Sequence, residues 1–212
     1  KLNIVSKEKI LLLYDPVIST KAIQEKKKIP IKNFLLNNYF ISIGRLTKQK
    51  NFILLVDAFK DFNKNKSYKL VIIGEGEDRN KLEKFIKDNN LQETIYLIGY
   101  QNNIFNYLKQ SKCFILSSLW EDPGFVLIEA AYMNIPIISS DCKNGPTEFL
   151  NHGKGGLLFN SDNKASLTEC FRKFENLKAE KINDFKINSK KSSRNFSIFK
   201  HYKNLTLILK KI

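Results

Sequence analysis

No stretch of this sequence approaches the ~20 consecutive apolar residues that a membrane-spanning helix requires. Cysteine is scarce: Cys113, Cys142 and Cys170 stand far apart, form no C-x-x-C pair and are odd in number. They exclude a disulfide framework and read as buried free thiols of a reducing compartment. Only two histidines occur, His152 and His201, and they stand alone. Zinc wants four clustered ligands, or three plus water, so no metal site is expected. No internal repeat or low-complexity tract is present. The first residues, Lys1-Leu2-Asn3-Ile4-Val5, lack an initiator Met and a basic-then-apolar leader pattern, and read as a cut end.

Arginine is the other rarity, with 4 Arg among 36 basic residues in a chain of net charge +15. Arg is favoured for bidentate phosphate and base recognition, so its scarcity argues against a nucleic-acid binder. The charge is also unevenly placed. Residues 1–32 hold 8 Lys against 3 acids, and residues 172–212 hold 12 Lys/Arg against 3 acids. The middle, 33–171, is close to neutral. The basic ends suit an anionic membrane surface, or are solvated lysines with no partner. The expected location is cytoplasmic, with possible peripheral contact on the cytoplasmic face of the membrane.

What is present is one ordinary domain's worth of chain, 212 residues with 42% apolar content, enough to bury a core. Short apolar runs alternate with helical patterns. Strands are expected at Ile10–Tyr14, Tyr39–Gly44, Lys69–Ile73, Thr94–Ile98, Cys113–Ser117, Pro136–Ser139 and Gly156–Phe159. Helices are expected at Asn51–Asn63, from an Asp78 cap to about Asn89, at Ile104–Lys109, Pro123–Met133 and Pro146–Asn151, and from Asn163 onward with an interruption near Ser189–Asn195. The charged stretch Lys21–Ile31 reads as a connection. Repeated strand–helix units imply an α/β fold, a Rossmann-like parallel sheet with helices on both faces.

Ligands of such a sheet bind outside the carboxyl ends of the strands. The residues there are rich in Gly and polar groups: Gly44-Arg45, Gly74-Glu75-Gly76, Gly99-Tyr100, Ser118 to Gly124, and Asp141 to Pro146. Arg45 and Lys50 could clamp a diphosphate, or be ordinary surface charge. Gly74-Glu75-Gly76-Glu77-Asp78-Arg79 fails as a dinucleotide fingerprint because Arg79 and three acids crowd the turn, which reads as structural. Pro123 and Gly124 suit a helix start, where free N–H groups attract anions. Glu121 and Glu129 lie eight residues apart. At ~1.5 Å per residue they are on the order of 10 Å apart, too far for a retaining glycosidase pair at about 5 Å. The span does match the two ends of a nucleotide sugar. Glu129 could accept both hydroxyls of a ribose, or be a buried acid paired with a lysine. Tyr100 and Trp120 could wall the pocket or pack at the core rim. Asn144-Gly145-Pro146 could hold substrate or simply connect.

Taken in order, these segments resemble the C-terminal, donor-binding half of retaining GT-B glycosyltransferases of the group 1, family 4 class, from about Ile10 to Phe159. The carrying motifs are Leu11-Leu12-Leu13-Tyr14-Asp15-Pro16-Val17, Gly44-Arg45-Leu46 with Lys50-Asn51, Val71 to Gly76, Leu97-Ile98-Gly99-Tyr100, the E-x7-E run Glu121 to Glu129 with Gly124 inside it, and Pro136 to Cys142 with Gly145-Pro146. The resemblance implies a nucleotide-diphospho-sugar donor, a UDP-sugar by preference, transferred with retention to a glycan or lipid-linked acceptor. It implies no metal or other cofactor. Arg45 and Lys50 would neutralise the diphosphate beside Gly44. The backbone around Tyr100 would hold the base, and Glu129 the ribose. Glu121 would touch the transferred sugar, with Gly124 and the Phe125 and Val126 amides near sugar or phosphate. Glu121, Arg45 and Lys50 are thus the catalytic candidates. Asn134 departs from the family by standing where glycine is usual, and Asp122-Pro123 replaces a Gly-Phe-like pair.

The same resemblance divides the chain. Residues 1–32 would be a linker from an N-terminal domain that binds the acceptor. Residues 33–195 would form the nucleotide-sugar domain, and 196–212 a helix returning toward the N-terminal domain. Such a fragment would be inactive alone. Two other readings keep much of the motif set. A non-catalytic nucleotide-binding module would retain Arg45, Lys50 and Glu129 without needing Glu121. A nucleotide-sugar epimerase would share the architecture.

Overall fold

The computed structural model describes residues 11–31, 36 and 38–210. The opening residues 1–10, Ile10 of the first expected strand among them, lie outside the described residues, as do 211–212 at the end of the expected C-terminal helix. Six strands, β1 (Tyr39–Ile43), β2 (Leu70–Ile73), β3 (Ile95–Leu97), β4 (Ser111–Leu116), β5 (Ile137–Ser140) and β6 (Leu157–Phe159), form one sheet in the order 3-2-1-4-5-6. Every pairing is parallel. The expected α/β class is therefore observed. The order reverses between β1 and β4, so the loops after these two strands diverge and leave a crevice at the carboxyl edge.

β1, β2 and β5 are buried along their whole length, as strands covered on both faces must be. Alternate residues feed two cores. Phe40, Leu70, Ile72, Cys113, Ile115 and Ile138 face a layer built by α2 (Phe52–Asn63), α3 (Arg79–Asp88) and α7 (Lys164–Glu175). That core is aromatic: the Phe40 ring meets Phe59, Phe62, Tyr68, Phe171 and Phe174 at 5.3–6.0 Å. Such contacts add about 0.5–1.5 kcal/mol each to ordinary burial. Tyr39, Ile41, Ile43, Val71, Phe114 and Ile137 face the opposite layer, which holds α1 (Thr20–Lys27), α4 (Phe105–Gln110), α5 (Phe125–Tyr132) and α6 (Pro146–Phe149). α8 (Ala179–Ser193) packs on α5, and α9 (Ile198–Leu209) ends the described chain.

Four local expectations are corrected. Residues 11–14 form no strand. Leu11 and Leu12 are exposed, and Tyr14 instead packs its ring on Phe196 at 4.8 Å while its carbonyl accepts from His201 Nδ1, 2.7 Å. The stretch Lys21–Ile31 is not a plain connection but contains α1, capped by Ser19 Oγ accepting from Ala22 N. Its only buried residue is Ile23, so no apolar period marks it in the sequence. Asp78 occupies the N-cap position of α3, but its side chain makes no capping bond. α8 continues through Ser189 to Ser193, and the helical run breaks instead at 176–178 and 194–197.

Asn134, the departure from glycine, has a structural account. It sits just past α5 at φ 64°, a left-handed conformation that asparagine tolerates. Its N–H donates to Ala131 O, and Ile135 N–H to Ala130 O. This is the paired pattern of a Schellman stop, and asparagine fills the glycine position without loss of the turn.

Candidate functional site

The site is built where β1, β2, β3, β4 and β5 end. After β1 the chain passes Gly44 and Arg45 into a single 3₁₀ turn, Lys48–Lys50, before α2. Gly74, after β2, lies against Gly44: a side chain there would come 1.9 Å from Gly44 O, and its φ of 144° favours glycine. The two post-strand backbones therefore touch, and only a residue without Cβ permits it. Gly76 meets the Leu46 backbone in the same way. Of the acids of this turn Glu75 is neutralised locally by Arg79 at 2.5 Å, and Arg79 also bonds Glu83 of α3 at 2.8 Å. The tight-turn part of the structural reading of that segment is observed, while the Asp78 side-chain cap is not.

The 3₁₀ turn is stitched to the loop after β4. Leu119 N–H donates to Gln49 O (2.8 Å), Gln49 Nε2 to Trp120 O (2.9 Å) and Ser117 Oγ to Lys50 O (2.7 Å). The stitching brings Lys50 and Glu121 together. Lys50 Nζ lies 2.5 Å from Glu121 Oε1, and Ser118 Oγ donates to the same oxygen at 2.5 Å. The Glu121 side chain is 4% exposed and that of Lys50 17%. A buried carboxylate with an ammonium and a hydroxyl partner is fully compensated. Ser118 is held in turn, because its carbonyl accepts from Ser140 Oγ at 2.7 Å. Gly44 packs beside the Lys50 stem, where a methyl would sit 3.3 Å from Cε.

Arg45 is exposed, and among the described residues its guanidinium has no hydrogen bond or ion pair. It is the uncommitted cation of the expected pair, whereas Lys50 is engaged.

α5 starts two residues later than the sequence suggests. Gly124 is its N-cap, in the left-handed conformation at φ 84°, and Pro123 lies ahead of the helix. A left-handed residue cannot continue a right-handed helix, so the turn starts at Phe125. A Cβ on Gly124 would lie 3.5 Å from Glu121 Oε2, so this position borders the carboxylate directly. Phe125 and Val126 are the first two helical residues, and their N–H groups have no intrahelical acceptor. They are therefore open to an anion. Because residues 121–124 are not helical, the helical rise applies only to the second half of the E-x7-E run.

Glu129 lies one turn into α5, half-buried. Among the described residues it makes no hydrogen bond or ion pair, so the alternative of a buried acid paired with a lysine is not what is found. Burial pushes its carboxyl up to about 7, with Lys26 of α1 the opposing influence. Among the described residues its oxygens have no protein partner, which leaves them available to accept hydroxyl hydrogens from a ligand.

Tyr100 follows β3 and is 70% exposed; Trp120 is 49% exposed. Neither ring takes part in an aromatic pair recorded among the described residues. Asn144-Gly145-Pro146 opens α6, and this loop supports the Glu121 loop. Trp120 bridges Lys143, and Glu121 N–H donates to Lys143 O at 3.4 Å. Asp141 is engaged by Ser161 N–H at 2.7 Å. Gln49 was not singled out from the sequence, and Ser118 and Lys143 fell within named segments without a role of their own. Their signal is only position, polar residues immediately after apolar runs at one sheet edge.

Known proteins resemble this chain. The family model described as glycosyl transferases group 1 matches residues 23–192. An uncharacterized glycosyltransferase of Methanocaldococcus jannaschii is 50% identical over 112 residues, 52% of this chain and 28% of that protein. The Campylobacter jejuni N-acetylgalactosamine-N,N'-diacetylbacillosaminyl-diphospho-undecaprenol 4-alpha-N-acetylgalactosaminyltransferase is 32% identical over 167 residues, 77% of this chain and 43% of that protein. The chain thus spans less than half the length of these relatives. Among solved structures, Anabaena HepE in complex with UDP and glucose superposes with a TM-score of 0.75 at 16% identity, covering 94% of this chain and 55% of that one. That likeness shows the fold. Sheet order, motif placement and a family match over most of the chain agree: this chain belongs to the group 1 glycosyl transferases.

Proposed function

We propose that this chain is the donor-binding part of a glycosyltransferase that takes a sugar from a nucleotide-diphospho-sugar, a UDP-sugar by preference. The sugar passes with retention, and without a metal, to a glycan or lipid-linked acceptor. The observation that carries the reading is the unpaired carboxylate of Glu129 on the same edge as Arg45 and the Lys50–Glu121 pair. In this reading Glu129 accepts the two ribose hydroxyls. Arg45 and the open Phe125 and Val126 amides receive the diphosphate, and Lys50 is drawn toward it from Glu121. The leaving diphosphate gains charge as the glycosidic bond breaks, and fixed cations stabilise that charge without a bound ion. Glu121, partly released, is left facing the sugar.

The UDP bound to Anabaena HepE supports a uridine nucleotide, and the name of the Campylobacter relative supports a lipid-linked acceptor. Titration of UDP-, GDP- and ADP-sugars by calorimetry, with and without EDTA, tests the proposal. The UDP-sugar should bind most tightly and keep its affinity in EDTA. A loss of about tenfold or more on chelation, equivalent to about 1.4 kcal/mol, would count against metal independence.

A further inference from the structure

A cavity of about 450 Å³ opens beside the Glu121 loop, among residues with no part in donor binding. Glu121 turns to Lys50, while the next two residues, Asp122 and Pro123, line the cavity. They are the pair that departs from the family pattern. Gly145, at φ 121°, backs onto Pro123: a Cβ there would come 3.0 Å from Pro123 O. Asn144 and the start of α6 therefore form a wall beside the Glu121 loop. Residues 12–15 and the end of α8 with the turn after it supply the remaining walls.

Aromatic rings floor the cavity. Tyr14 lies 4.8 Å from Phe196, and Phe149 lies 5.9 Å from Phe196. Phe149 and Phe196 are buried, whereas Tyr14 is partly exposed. The charged lining has one sign. Asp15, Asp122 and Glu148 are exposed carboxylates, and among the described residues no lysine or arginine lines the cavity. None of the three carboxylates is in an ion pair among the described residues, in a chain of net charge +15. Asn195 adds an amide: its Oδ1 accepts from Lys200 Nζ at 2.5 Å, which leaves its Nδ2 to donate elsewhere.

The volume falls in the range of small-ligand sites, about 300–1,000 Å³. A pyranose matches the lining. Its C–H face packs on aromatic rings, and its hydroxyls donate to carboxylates and accept from amides. A phosphate does not match, because three uncompensated carboxylates in one cleft repel it. We propose that this cavity receives an uncharged sugar residue of the acceptor, so that the donor-binding half carries an acceptor subsite of its own. The inference rests on the donor reading above and deepens it by naming the part of the acceptor that this chain grips. That part is neutral glycan, bound beside the loop that holds Glu121, and not a phosphate that links glycan to lipid.

The test is a titration of the isotopically labelled chain with the methyl glycosides of glucose, galactose, N-acetylglucosamine and N-acetylgalactosamine, read by backbone amide shifts with and without UDP. At least one glycoside should shift Asn144, Gly145 and Asn195 with a millimolar Kd, whether or not UDP is bound. The phosphate monoester of the same sugar should bind about tenfold more weakly or worse. Asp15→Asn and Glu148→Gln, with melting curves as controls, should each weaken the glycoside about three- to tenfold and leave UDP affinity within about twofold of wild type. Absence of cavity shifts with every glycoside while UDP binds would overturn the inference and leave the donor reading intact. So would a sugar phosphate that binds as tightly as its parent glycoside, or full glycoside affinity in both variants. Failure to bind any nucleoside diphosphate would overturn the donor reading, and the acceptor role of the cavity with it.

Discussion

The two glutamates of one E-x7-E run live in opposite surroundings. Glu121 is buried, and one of its oxygens holds both the Lys50 ammonium and the Ser118 hydroxyl. Glu129 is half-buried, unpaired, and raised by burial to about 7. The first is a finished piece of structure that a ligand must compete with. The second has no protein partner among the described residues and is free to take one from a ligand. Identical side chains in one motif thus meet different surroundings, and in the donor reading proposed above one holds a cation in reserve while the other receives a neutral polyol. The backbone differs between them: Glu121 lies in the loop before the left-handed Gly124 at φ 84°, and Glu129 lies within the helix that follows it.

Removing each carboxylate should break that contrast in opposite directions. Glu121→Ala leaves the Lys50 ammonium with 17% exposure and no counter-charge. Stranding a partly buried ion costs about 2–3 kcal/mol, below the value for full burial because Lys50 can reach water. For a chain of this size the melting temperature should fall by roughly 4–10 °C. An unchanged melting curve would mean that the pair is loose in solution.

Glu129→Gln should do the reverse, by a smaller amount. The folded-state carboxyl titrates at about 7, above its unfolded value. The folded protein therefore keeps a proton that the unfolded chain releases, and stability falls as pH rises from about 4.5 to 7. The neutral amide escapes this penalty, on the order of 1–2 kcal/mol at pH 8 after allowing for partial exposure. Glu129→Gln should accordingly melt a few degrees higher than wild type at pH 8 and close to it at pH 5. A lower melting temperature at both pH values would mark Glu129 as a structural acid. Gain of stability with loss of binding is the usual signature of a functional site.

Much of this was legible in the sequence, for identifiable reasons. β1, β2, β4 and β5 each hold a run of apolar residues closed on at least one side by Gly, Ser or Pro, and they appear within two residues of where the pattern places them. Arg45, Lys50, Tyr100 and Glu121 follow strands at one sheet edge, because parallel topology sends every strand's carboxyl end to the same side, and Glu129 lies one turn into the helix that starts there. The Lys50–Glu121 pair was not legible. It joins residues 71 apart, and nothing local signals it. α1 was missed because one buried isoleucine makes no periodicity. The late start of α5 was hidden because Pro123-Gly124 fits both a first helical turn and the approach to one.

The central claim is that the two carboxylates divide the donor between them, Glu129 taking the nucleoside and Glu121 the sugar. Its most direct test is a pair of titrations, free UDP and the intact UDP-sugar, on Glu129→Gln and Glu121→Gln. Glu129→Gln should lose about ten- to a hundredfold for both ligands, the worth of a charge-assisted hydrogen bond to a group common to both. Glu121→Gln should bind free UDP within about threefold of wild type and weaken only for the UDP-sugar. Wild-type UDP affinity in Glu129→Gln, or abolished UDP binding in Glu121→Gln, would contradict the assignment.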